Sequence, residues 1–301
     1  MNSNPILSLC LPTNGIIEWV FPVLDSIYNQ GIDNRLFEVI VTDNGGNTEF
    51  QKKMIVYANG HSNLIYKKTD AYMFYNQLEA LKLAHGEYLK FVNHRAAFVN
   101  GALQKMIDII KSCEIEKPII YFSNGVLKKD YNLNSFDEYV AHLKRNVSWT
   151  TGVGIWKIDY DNLPEDIKID KISPHSCILF SERKRNNYRI ENFKFCEEIE
   201  KSSKKKGSYN LFKAFAVEEP TITQNLYIDG DISASTLKTV LADYKKMCKE
   251  LYFDFCILNK PCSYDLSGFD DNMGIYFSKV EVVLGAYVVG LKRLVKKIVR
   301  K

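Results

Sequence analysis

The chain lacks any Cys-x-x-Cys pair, and its seven cysteines, at 10, 113, 177, 196, 248, 256 and 262, are scattered and odd in number. That argues against a disulfide framework or a structural zinc site and fits a reducing compartment such as the cytosol. No 18 apolar residues run together, so no membrane span is expected. The opening "MNSNPILSLCLP" has no basic stretch ahead of its short apolar run, which reads as a first strand rather than a signal peptide. There are no internal repeats and no low-complexity linker.

What is present is a soluble globular composition, with 46% hydrophobic and 25% charged residues among 301. The net charge is +4, but six basic residues crowd the last ten, "KRLVKKIVRK"; subtracting them leaves about −2 for the body. A nucleic-acid binder would carry its positive charge on the body, so nucleic acid is not an expected partner.

Apolar runs and helical spacing alternate through the first half. "ILSLCLP" (6–12), "FEVIVTDNGG" (37–46), "NLIYKK" (63–68), "EYLKFV" (87–92) and "KPIIYFSN" (117–124) read as strands. Helices fit 16–30, with Pro22 tolerable only near its first turn, then 74–86, stopped by Gly86, and 99–112. This rhythm predicts an α/β fold, a mostly parallel sheet flanked by helices. Residues 148–159 read as a loop and strand, and "KSSKKKGS" (201–208) as an exposed turn. From 235 on, long amphipathic helices dominate. The expected division is 1–210 for the α/β domain and 211–301 for a helical extension.

Parallel sheets bind ligands at the carboxyl ends of their strands. Four polar clusters stand there: Pro12-Thr13-Asn14, Thr42-Asp43-Asn44, Lys67 to Asp70, and Asn93-His94-Arg95. Each alone is an ordinary turn; four on successive strands predict a shared crevice.

"LSLCLPTNG", "LDSIYNQ", "FEVIVTDNGGNTE", "LKLAHGEYLKFV" and "TTGVGIWK", in that order, resemble the family 2 inverting glycosyltransferases of the GT-A fold. The resemblance covers roughly the first 60% of the chain. It implies a Rossmann-like GT-A domain that binds a nucleoside-diphosphate sugar across the strand ends. An acceptor hydroxyl attacks the anomeric carbon and the diphosphate leaves from the other face. Pro12, Thr13, Asp43 and Asn44 would then line the nucleoside, although Asp43 also suits an Asx turn before Gly45-Gly46. Lys68, like Lys67, can reach phosphate.

The resemblance breaks where the family holds a divalent cation with aspartates: this chain reads Asn93-His94-Arg95, a degenerate DxD motif. Mn or Mg binding would be weakened, because Arg95 would repel the cation; charges ~4 Å apart at a dielectric of ~20 interact by about 4 kcal/mol. Facing a diphosphate, the same charge attracts, and the guanidinium fork matches phosphate. Three readings stay open: an enzyme in which Arg95 replaces the metal, one with weak or unusual metal use, and an inactive sugar-nucleotide binder or scaffold. A nucleotidyltransferase would need the carboxylates even more.

For the base that the reaction needs, Asp170 ranks first, His175 second and Asp166 third, with His175 equally readable as a structural histidine. Trp149 can stack on a sugar; Trp156 reads as core. In the tail, Leu291, Leu294, Val295, Ile298 and Val299 share one helical face with basic residues opposite, the pattern of a helix lying on anionic lipid or of a helix packed on the body. Lipid suits a glycan or lipid-linked oligosaccharide acceptor. The expected role is therefore cell-surface polysaccharide synthesis, in the cytoplasm and peripheral to the inner face of the membrane through residues 291–301.

Overall fold

A computed structural model describes residues 4–199 and 208–299. The turn expected at 201–208 falls, but for Ser208, outside the described residues, as do Arg300 and Lys301 of the tail. The chain divides into two compact units, Met1–Tyr139 with Asn146–Ser202, and Val140–Arg145 with Ser203–Lys301.

The first unit runs β1 (Leu7–Thr13), α1 (Ile17–Tyr28), β2 (Phe37–Asp43), α2 (Thr48–Asn59), β3 (Leu64–Lys68), α3 (Asn76–Lys82), β4 (Tyr88–Phe91), β5 (Ala96–Phe98), α4 (Ala102–Ser112), β6 (Ile119–Phe122) and β7 (Tyr131–Leu133). After α5 (Phe136–Leu143) come β8 (Gly154–Trp156), α6 (Lys157–Asp161), α7 (Pro174–Leu179), β9 (Tyr188–Glu191) and β10 (Cys196–Glu198). Its central sheet has the order β3-β2-β1-β4-β8; the first four strands are parallel and β8 is antiparallel. The predicted mostly parallel α/β sheet is thus present.

Period-2 alternation decides which helix meets which face. Leu7, Leu9, Leu11, Val39 and Val41 join Val20, Val23, Leu24, Ile27, Leu103 and Met106 of α1 and α4 in one buried cluster. On the other face α3 packs against β1 and β2, and Thr42 Oγ1 donates to the Asn76 carbonyl at 3.0 Å. Register aligns the strand tips, with Thr13 opposite Asp43 and Asp43 opposite Lys68.

Three local expectations differ. Pro22 lies in the interior of α1 rather than its first turn, but on the exposed face of the helix. Gly86 does not end a helix, since α3 stops at Lys82. It lets backbone approach backbone: a Cβ there would lie 2.6 Å from Ser8 Oγ and 2.7 Å from Ser8 N. The strand at 119–122 joins no central sheet; β6 pairs parallel with β9, and β7 completes that three-stranded sheet.

The second unit is helical: α8 (Leu211–Lys213), a π-turn at Ala214–Glu218, α9 (Glu219–Ile228), α10 (Ala234–Tyr252), a second π-turn at Phe253–Ile257, α11 (Phe269–Tyr276) and α12 (Lys279–Val299). α10 and α12 pack together, and Lys245 and Lys249 both reach Glu281.

Candidate functional site

Four strand tips converge as their register dictates. Thr13, 3% exposed, accepts the Gly15 N–H at Oγ1 (3.1 Å) and faces His94 Nδ1 at 2.9 Å. Pro12 pairs with Thr42 and is half-buried. The Asn44 N–H donates to the Thr13 carbonyl at 3.1 Å, and the Thr69 N–H to the Asp43 carbonyl at 2.9 Å. Asn44 Nδ2 holds the next loop through the carbonyls of Ala71 and Met73, both at 2.9 Å. Lys68 is exposed, with Nζ 3.2 Å from the Thr69 carbonyl.

Asp43 makes the Asx turn: Oδ1 accepts the Gly45 N–H at 2.7 Å, while Oδ2 accepts the Tyr66 hydroxyl at 3.2 Å. Burial raises its carboxyl pKa, opposed by the Gly45 N–H, Lys68 and Tyr66, which favour the anion. Gly45 is obligatory here, because a Cβ would stand 1.9 Å from the Asn14 carbonyl oxygen.

Asn76, which the sequence reading placed simply within a helix, ties the tips together. Its Nδ2 donates to the carbonyls of Thr13 (3.1 Å) and Thr42 (2.8 Å), and its Oδ1 accepts from Thr69 Oγ1 at 2.8 Å. The available signal was a polar pair, Asn76-Gln77, at the start of the helix that follows a strand end; its burial shows only in the fold.

Beyond β4 the chain turns through Asn93-His94-Arg95. Asn93 Oδ1 accepts the Arg95 N–H at 3.1 Å, and the Asn93 N–H donates to Thr151 Oγ1 at 3.1 Å. The His94 ring lies 5.1 Å from the Trp19 ring; burial and the Arg95 charge depress its pKa to about 3. The Arg95 guanidinium stands 5.3 Å from the Trp19 ring, and Nη1 lies 2.9 Å from Glu198 Oε1. Its buried Nε has no hydrogen-bond partner among the described residues. Arg95 and Glu198 line a pocket of about 370 Å³ with Asn93, Tyr121, Asn146 and Trp149. Glu198 escaped notice because "FCEEIE" reads as an ordinary exposed edge.

These residues do not fit a divalent cation. Asn93 spends its oxygen on the turn, Arg95 sets a positive charge where a ligand is needed, and Glu198 is matched to that charge. Among the described residues no three His, Cys, Asp or Glu side chains group to hold a metal.

Asp170 Oδ1 accepts the N–H groups of Ile172 and Ser173, both at 2.8 Å, just ahead of α7. Its loop is joined to the 73–75 turn by Tyr75, whose hydroxyl lies 3.3 Å from the Ile169 carbonyl. His175 is 5% exposed, with Nε2 3.1 Å from the Ser148 carbonyl and a buried Nδ1 that has no hydrogen-bond partner among the described residues. Burial depresses its pKa to about 4. Asp166 is exposed. Trp149 lines the pocket, and Trp156 is core.

No family model matches the chain, and no curated protein matches its sequence. Solved structures do match in fold. S. aureus TarS 1-349 in complex with UDP-GlcNAc aligns with a TM-score of 0.57 and 15% identity, over 83% of this chain and 74% of that one. The same protein in complex with UDP aligns at 0.56 and 15%, over 83% and 73%. Against a longer S. aureus TarS structure the score is 0.53 at 14% identity, and this chain spans 46% of it. The fold is therefore of the GT-A type expected from the sequence.

Proposed function

We propose that this chain is an inverting glycosyltransferase, similar to family 2, that moves a sugar from a nucleoside-diphosphate sugar to a glycan acceptor. The observation that carries the reading is Arg95, held on the wall of a pocket beyond β4 with a buried donor unspent. It is supported by the fold shared with a protein solved with UDP and UDP-GlcNAc.

In this reading the nucleoside lies over the tips of β1 and β2, against Pro12, Thr13, Asp43 and Asn44, and Lys68 faces phosphate. The diphosphate meets Asn93 and Arg95, with His94 neutral behind them, and Arg95 supplies the charge that Mn or Mg supplies elsewhere. An acceptor oxygen forms a bond to the anomeric carbon as the bond to the diphosphate oxygen breaks. The acceptor's proton passes to a side-chain base. Asp170 is one choice, with His175 and then Asp166 behind it. Glu198 is another, released when the diphosphate draws Arg95 away from it. Trp149 offers a face for a sugar ring. The acceptor is a lipid-linked glycan of surface polysaccharide, which places the enzyme in the cytoplasm at the inner face of the membrane.

The test is release of nucleoside diphosphate from a panel of sugar nucleotides that includes UDP-GlcNAc, with and without glycan acceptors. Turnover with one donor supports the reading. Tight binding with no hydrolysis or transfer would leave a sugar-nucleotide-binding scaffold instead.

A further inference from the structure

α12 is two-faced in a way that residues 291–301 alone do not reveal. Val282 and Ala286 are fully buried toward the second unit. A Cβ at Gly285 would sit 2.6 Å from Lys249 side-chain atoms, and one at Gly290 would sit 2.3 Å from the Phe253 ring. Arg293 is held on the same side by Asp254 at 2.5 Å and by the Phe253 ring at 5.3 Å. The opposite side carries Val280, Leu284, Tyr287, Leu291, Leu294 and Ile298, all 56–68% exposed. At 100° per residue they fall within one arc, and the stripe runs the length of the helix.

Charge decides what covers it. Beyond Glu281 α12 has no acid, and in its last turns Lys292 and Lys297 flank the stripe, one on each side, with Lys296 behind Lys292. Among the described residues no single helix is long and apolar enough to cross a membrane, and α11 meets α12 at a bend of 100°. A parallel pairing with a second copy would set these lysines against their own copies. Anionic headgroups neutralise them while the stripe enters the acyl boundary.

We propose that α12 is an in-plane docking surface for an anionic lipid bilayer. It inserts from Val280 to Val299, with Tyr287 at headgroup level and Arg293 kept out of the contact. The inference does not depend on the reaction proposed above.

Co-sedimentation with vesicles of phosphatidylcholine alone, or with 30% phosphatidylglycerol (roughly one lipid in three), tests it. The intact chain is expected to bind the anionic vesicles and to be released by ~0.5 M salt. The double substitution Leu284→Glu with Tyr287→Glu, outside residues 291–301, is expected to lower binding at least ~10-fold. Reversing Lys292, Lys296 and Lys297 to Glu is expected to lower it at least ~100-fold. All five positions are solvent-exposed, and circular dichroism melting checks that the fold is kept. No binding to anionic vesicles would overturn the proposal. So would a dimer in sedimentation velocity that the Leu284→Glu, Tyr287→Glu chain no longer forms.

Discussion

His94 Nδ1 lies 2.9 Å from Thr13 Oγ1, which already accepts the Gly15 N–H. With one lone pair spent on Gly15, the Thr13 hydroxyl can donate to Nδ1 or accept from it, and the ring is neutral in either tautomer. Burial and Arg95 keep it so down to about pH 3, and burial keeps His175 neutral down to about 4. In the unfolded chain both take up protons near pH ~6.5. Between these values the unfolded state binds more protons, so stability falls as pH drops below ~6.5. Urea midpoints at pH 7.5 and pH 5 are expected to differ, and His175→Gln is expected to flatten that slope. A midpoint independent of pH over this range would contradict the assignment.

Lys90 is a third buried base, and its burial gives the same slope at higher pH. Fully buried in β4, it donates to the Thr151 carbonyl between the Phe122 and Phe195 rings, 4.7 and 4.9 Å away. Burial lowers its pKa to about 7. Unfolded, it holds its proton up to pH ~10.4. The unfolded state again binds more protons, so stability rises as pH climbs from about 7 toward 10. Lys90→Met is expected to be more stable than the parent at pH 6 by about 1 kcal/mol or more, and to lose the alkaline gain. Thermal melts at pH 6 and 9 read both.

Asn76 and Gly45 hold the crevice in shape through contacts within the protein. Asn76→Ala removes one donor each from the carbonyls of Thr13 and Thr42, the first of which keeps the Asn44 N–H, and the acceptor of the buried Thr69 hydroxyl, at a cost of about 1–3 kcal/mol. Gly45→Ala forces the 44–47 turn away from Asn14. Chemical denaturation is expected to show a clear loss for both, with weakened nucleotide affinity for Gly45→Ala.

The strands of the central sheet were legible because buried parallel strands are written as apolar runs, and the crevice followed from where those runs stop. Pairing was less legible. "KPIIYFSN" announces a strand but not its neighbour, and β6 went to the smaller sheet with β9, 69 positions on from Ile119 to Tyr188. Gly86 sits where a helix stop is expected, yet its work is done against Ser8, a contact no local pattern encodes. Arg95 announced itself by breaking a familiar motif. Glu198 did not, because only antiparallel pairing of β10 with β5 brings it to Ala96 and so beside Arg95.

That pairing sets a prediction for catalysis. Glu198→Gln frees Arg95 of its counter-charge, so diphosphate binding is expected to tighten while transfer falls ~10²–10⁴-fold if Glu198 takes the proton. Asp170→Asn, measured alongside it, separates the two carboxylates. A Glu198→Gln chain with full transfer and a shifted affinity would leave Glu198 a gate on Arg95 and make Asp170 the base.

The central claim is that a fixed guanidinium does the work of a metal ion. Calorimetric titration of UDP in excess chelator, for the parent chain and for Arg95→Ala, reads it directly. The expected result is an affinity unchanged by chelator in the parent and lowered ~10–100-fold by Arg95→Ala, with uridine binding spared in both. UDP binding that vanishes in chelator and returns with Mn would contradict the claim.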